Sequence, residues 1–198
     1  MNTRINLRTA ALVFATLAFP TLSHAHSEVG AVGGLVSGFL HPLFGLDHIV
    51  AMVAVGLWGA YLGAPAIWIL PITFPLVMAF GGALGVMGVP FPSVETCIAL
   101  SGVLLGAMVA FAVKPPIWIA ALLVGFFAVF HGYAHGAELP HAANALTYAV
   151  GFVVATGLLH LFGIAFGLLV RWPAGQIAVR GLGVAIMVVG ACFLTGIL

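Results

Sequence analysis

Long apolar runs, broken by short polar or Gly/Pro connections, dominate the pattern along this chain. With about 20 apolar residues needed for a helix to cross a bilayer, the runs predict six spans. The first extends from Val32 to Leu62 and is too long for one straight helix. Pro42 and Gly45 are expected to break it into a short leading segment and a helix beginning at Pro42 or Leu43. The second, Ala66 to Met87, is expected to kink at Pro71 and Pro75. The others are Val94 to Val113, Pro116 to Ala137, Ala142 to Val170 and Gln176 to Ile197. The connections are Gly63-Ala64-Pro65, Gly88 to Ser93, Lys114-Pro115, Glu138 to His141 and Arg171 to Gly175. None is long enough for an extramembrane domain or a linker. No internal repeat is evident.

The first 25 residues read differently. Arg4 and Arg8 precede a short apolar stretch from Ala10 to Phe19, and Ser23-His24-Ala25 has the small-x-Ala form of a cleavage site. The expectation is a cleaved signal peptide over residues 1–25, an uncleaved anchor being the alternative. Residues 26–198 then form one six-span domain whose mature N-terminus, His26, lies outside the cytoplasm. Counting spans places the first, third and fifth connections inside. Lys114, Arg171 and Arg180, all the basic residues of the mature chain, then fall on the cytoplasmic side, as the positive-inside rule expects. Glu95 and Glu138 fall near the outer connections.

Composition agrees with the pattern. The chain is 64% hydrophobic and 5% charged, with a mean hydropathy of +1.29. The class is therefore all-α: a polytopic membrane helix bundle. No basic stretch suggests nucleic acid. Cys97 and Cys192 stand far apart in apolar runs and read as small buried hydrophobes rather than a disulfide.

Against this background the polar residues carry the information. The first span holds His41-Pro-Leu-Phe-Gly-Leu-Asp47-His48, and Asp47 is one of only four carboxylates. Such groups are costly in hydrocarbon unless paired or bound. A second cluster closes the fourth span: Phe130-His131-Gly-Tyr133-Ala-His135-Gly-Ala-Glu138-Leu-Pro-His141. The topology puts both clusters near the outer face. His131 and His135 share a helix face, which Glu138 extends. His41 and His48 are two turns apart and align if the helix is continuous through them. Gly45, Gly132 and Gly136, like Gly102 and Gly106, are small enough for close helix approach. Imidazole with carboxylate suits Ni, Co, Zn, Cu or Fe. The candidate ligands are His41, Asp47, His48, His131, His135 and Glu138. Secondary candidates are His26, Met52 and His160. Met52 reads more readily as packing, and His160 as a helix–helix hydrogen-bonding residue.

At these residues the sequence resembles the HupE/UreJ family of nickel or cobalt permeases. The family pattern H-P-x-x-G-x-D-H-x-x-x-M stands without departure from His41 to Met52, and F-H-G-x-A-H-G-x-E stands from Phe130 to Glu138. Length, leader and span number also match. The H-x4-D-H signature of the larger nickel/cobalt permease family is similar, but five residues separate His41 from Asp47, so that family's fold is not carried over. The resemblance implies uptake of Ni2+ or Co2+ across the bacterial inner membrane for hydrogenase or urease maturation.

The expected function is thus a secondary transporter of a divalent transition-metal ion, Ni2+ before Co2+, and not an enzyme. No prosthetic group is expected; the metal is cargo. Expected partners are the metal ion and the lipid bilayer, with a homo-oligomer and an outer-membrane or periplasmic metal supplier as open alternatives. Two rival readings stand beside it. One is an intramembrane zinc-dependent hydrolase with Ser37 or Ser101 as auxiliaries. The other is a membrane metal-delivery subunit that translocates nothing.

Overall fold

A computed structural model describes residues 31–139 and 144–198. The signal-peptide expectation, His26 and His141 fall outside the described residues.

All regular structure among the described residues is helical. In chain order the helices are α1 (Ala31–Phe44), α2 (Leu46–Leu62), α3 (Ala66–Val86), α4 (Val94–Ala110), α5 (Ile117–Ala137) and α6 (Ala145–Gly167). A 3-10 turn at Leu168–Arg171 leads into α7 (Pro173–Leu194). The helices α3, α5, α6 and α7 are each long and apolar enough to cross a membrane, and α1 with α2 makes a fifth crossing if the bent pair is one span. At 17 residues, α4 is a shorter apolar helix. Six spans therefore require counting both the bent pair and α4.

The centre of the bundle is α2. Every residue from Val50 to Ala60 is buried. A helix that is apolar all round has no solvent face to keep and can take the interior position. Against it pack α3, α4, α6 and α7. The outer helices turn large apolar side chains outward, such as Ile72, Leu76 and Phe80 on α3 and Leu122 and Phe126 on α5. In lipid these need no cover, so helix association rests on close packing rather than on hiding apolar area. Glycine supplies that closeness. A β-carbon on Gly132 or Gly136 of α5 would collide with the Met78 or Gly82 carbonyl of α3. A second such seam joins Gly106 of α4 to Gly183 of α7.

The first span breaks at one of its two expected positions. The break is at Gly45, where α1 and α2 meet at 82°, and α1 runs through Pro42 to Phe44. Pro42 lies in the last turn of α1 and removes the hydrogen bond that its N–H would give to the Gly38 carbonyl, without ending the helix. Gly45 instead takes an extended backbone (φ −93°, ψ 105°). His41 and His48 thus sit on different helices and do not share a face. Pro71 and Pro75 both lie inside α3, which is one unbroken helix.

The two ends of the bundle are chemically distinct. At one end, Arg180 Nε donates to the Ala110 carbonyl (2.8 Å) and Trp58 Nε1 to the Val113 carbonyl (3.0 Å). The first satisfies a backbone oxygen that the end of α4 leaves free, and the second one in the connection that follows it. Lys114 Nζ lies 4.9 Å from the Tyr61 ring centroid at the same end. The start of α2 and the end of α5 lie at the other.

Candidate metal centre

The break at Gly45 places Asp47 and His48 in the first turn of α2. His48 Nδ1 and Asp47 Oδ1 are 2.9 Å apart. An ionised carboxylate can only accept, so Nδ1 carries the proton and Nε2 keeps its lone pair. His48 Nε2 is buried and has no hydrogen-bond partner. A β-carbon on Gly45 would lie 3.0 Å from His48 Nδ1 and 3.1 Å from Asp47 Oδ1, so the residue that makes the bend also makes room for the pair.

Helix α5 delivers His131 and His135 to the same place. Their side chains are 0% and 6% exposed. The His48 ring centroid lies 4.9 Å from that of His131 and 4.3 Å from that of His135. His41, at the end of α1, brings its ring within 4.8 Å of His135, and its Nε2 lies 3.5 Å from Glu138 Oε2. One ligand atom from each of His41, His135 and Glu138 fits within a 4.8 Å group. Tyr148 and Phe152 of α6 face the His41 ring, at 5.9 and 6.4 Å. The two sequence clusters are therefore one site.

Four ring nitrogens in this cluster are buried without a partner: His48 Nε2, His131 Nδ1 and both nitrogens of His135. An unsatisfied buried polar atom costs about 1–3 kcal/mol. A divalent cation that prefers imidazole nitrogen and carboxylate oxygen can take the lone pair of one nitrogen from each ring, and the tightest such group among the described residues is His41, His135 and Glu138. In that arrangement Asp47 holds His48 by its far nitrogen, as carboxylates commonly do behind metal-binding histidines.

A cleft of about 460 Å3 opens onto the cluster, lined among others by His41, Asp47, His48, Glu95 and Glu138. Three of the chain's four carboxylates thus meet in one cleft that no Lys or Arg lines. Such a cleft attracts cations. Glu95 opens α4; in the sequence its only signal is its rarity as one of four carboxylates. Tyr148 had no signal at all.

The secondary candidates separate. Met52 is fully buried in the apolar core of α2. His160 of α6 stands apart from the cluster, with the buried Phe74 ring between: its centroid is 5.4 Å from that of His131 and 5.5 Å from that of His160. His160 Nε2 is left without a partner. Of the two serines, Ser37 donates to the Gly34 carbonyl within α1 and lines the cleft, and Ser101 is buried with its Oγ 2.9 Å from His131 Nε2.

Fold and site together define a multi-pass helical membrane protein with a buried histidine cluster under an acidic cleft. The chain matches the model described as HupE / UreJ protein over residues 13–193 and belongs to that family. It is 50% identical over 182 residues to Protein HupE of Rhizobium leguminosarum bv. viciae, covering 92% of this chain and 95% of that one. No solved structure matches it.

Proposed function

We propose that this protein is a permease that takes up a divalent transition-metal ion, Ni2+ first and Co2+ next, across the bacterial inner membrane. The supply would serve hydrogenase or urease metallocentre assembly. One observation carries the reading: four histidines and three carboxylates from distant parts of the chain converge at one end of the bundle. Membrane proteins rarely place so many costly groups together unless an ion passes there.

In this reading the cleft faces the periplasm, with Lys114, Arg171 and Arg180 on the cytoplasmic side. Glu95 and Glu138 raise the local concentration of cation. The ion exchanges water for His41, His48, His131 and His135, with Asp47 orienting His48 and offsetting the ion's charge. His160 receives it beyond Phe74. Binding must remain weak enough for release. The Asp47–His48 geometry and the orphaned ring nitrogens support such a site. The family membership supports the metal, through the motifs from His41 to Met52 and from Phe130 to Glu138.

The test is accumulation of radioactive Ni2+ and Co2+, offered separately, in cells lacking other carriers. Accumulation that disappears in His48→Ala, at equal membrane abundance, supports the permease and names its ion. No accumulation of either ion removes it. A tightly retained stoichiometric zinc in the purified protein would favour the hydrolase.

A further inference from the structure

The geometry points to Ser101 as the positioning residue that fixes the tautomer of His131 and so presents its Nδ1 lone pair to the metal. The inference rests on the metal-site reading above and extends it to a residue outside both sequence clusters.

Ser101 lies in α4 and is fully buried. Its Oγ donates to the Ile98 carbonyl at 2.6 Å, a short bond to the preceding turn of its own helix. A hydroxyl has one hydrogen, and that bond uses it. The same Oγ lies 2.9 Å from His131 Nε2. With its hydrogen committed, the oxygen can only accept there, so His131 Nε2 carries the N–H. A second proton on Nδ1 would leave a charged ring with an orphan donor, because Nδ1 is buried and partnerless. The ring is therefore neutral, protonated at Nε2 and bare at Nδ1.

The consequence is specific. Metals bind neutral imidazole through the bare nitrogen, and the partner of the other nitrogen decides which one that is. His48 is held by Asp47 in the opposite sense, with Nδ1 protonated and Nε2 bare. The cluster thus offers one histidine through each kind of nitrogen, from rings 4.9 Å apart. Without Ser101 the ring would have no buried acceptor for its Nε2 proton. His131 could then place the proton on either nitrogen, and half of the ligand's preparation would be lost.

The experiment uses the full chain, purified in detergent with 15N-labelled histidine. Side-chain nitrogen spectra report the tautomer of His131, assigned by comparison with His131→Gln, and calorimetric titration with Ni2+ reports affinity. The expected wild-type result is a single tautomer protonated at Nε2. Ser101→Ala is expected to lose that tautomer's dominance and to bind Ni2+ roughly 10–100-fold more weakly. Ser101→Thr, which keeps the hydroxyl, is expected to restore both. A wild-type His131 protonated at Nδ1 overturns the inference without any variant. So does a Ser101→Ala protein whose tautomer or Ni2+ affinity is unchanged. Wild-type protein that binds no Ni2+ overturns the metal-site reading, and this inference falls with it.

Discussion

Asp47 Oδ1 accepts a hydrogen bond from His48 Nδ1 at 2.9 Å, between neighbours in sequence at the first turn of a buried helix. The contact fixes which nitrogen His48 offers and places a negative charge behind the ring. Asp47→Asn separates the two effects, since its amide oxygen can still accept from Nδ1 while the charge is gone. Uptake is expected to be abolished, with membrane abundance unchanged on immunoblots. Ni2+ affinity of the purified variant should fall roughly 10–100-fold. Normal uptake would remove Asp47 from the mechanism.

Gly45 tests the same pair from the backbone. Its φ of −93° is open to alanine, so the bend itself should survive Gly45→Ala. The added β-carbon would meet His48 Nδ1 at 3.0 Å and Asp47 Oδ1 at 3.1 Å and push the pair apart. The expected outcome is an intact, membrane-inserted protein with a higher half-saturating Ni2+ concentration. Uptake kinetics at matched abundance check this.

The two rim carboxylates act at longer range. Glu138 is mostly exposed, and Glu95 lines the same cleft. Charge interactions in water are worth about 1 kcal/mol at 4 Å, or roughly fivefold in binding. Glu95→Gln and Glu138→Gln should therefore each raise the half-saturating Ni2+ concentration about that much or less. The double variant should also flatten the dependence of uptake on ionic strength. Uptake measured from low to high salt decides it.

The glycine seam predicts a stability effect instead. Gly132 neighbours His131 on α5, and a β-carbon there would run into the backbone carbonyl of Met78 on α3. Backbone cannot yield as a side-chain tip can, so overpacking should cost about 1–3 kcal/mol. Gly132→Ala is expected to lower membrane abundance and the detergent melting temperature. Gly157, with open space around its β-position, is the control and should tolerate alanine.

Much of this arrangement was legible before the structure. The apolar runs place five of the seven α-helices among the described residues close to their observed ends, because Gly/Pro connections such as Gly63-Ala64-Pro65 punctuate them. Counting spans puts the two histidine clusters at the same depth of the bundle, and in the structure the end of α5 brings His131 and His135 to His48 at the start of α2. Of the two residues expected to break the first span, Gly45 makes the bend, where the Asp47–His48 pair needs room, while Pro42 stays inside α1, so the second helix starts at Leu46 rather than at Pro42 or Leu43. What stayed hidden depends on how helices face one another. From Val50 to Ala60, helix α2 is apolar on every side and gives no periodic signal of which face meets which neighbour. The contact of Ser101 with His131, the place of Phe74 between His131 and His160, and the opening of Glu95 onto the cleft are all of this kind.

The most direct test is Ni2+ flux through the purified protein in sealed liposomes, read with a trapped metal-sensitive dye. It uses wild type and His135→Ala, which removes the histidine that touches both His41 and His48. The account predicts metal entry in wild-type vesicles and background signal in the variant. Binding of Ni2+ to wild-type vesicles with no entry would contradict translocation and leave a delivery subunit in its place.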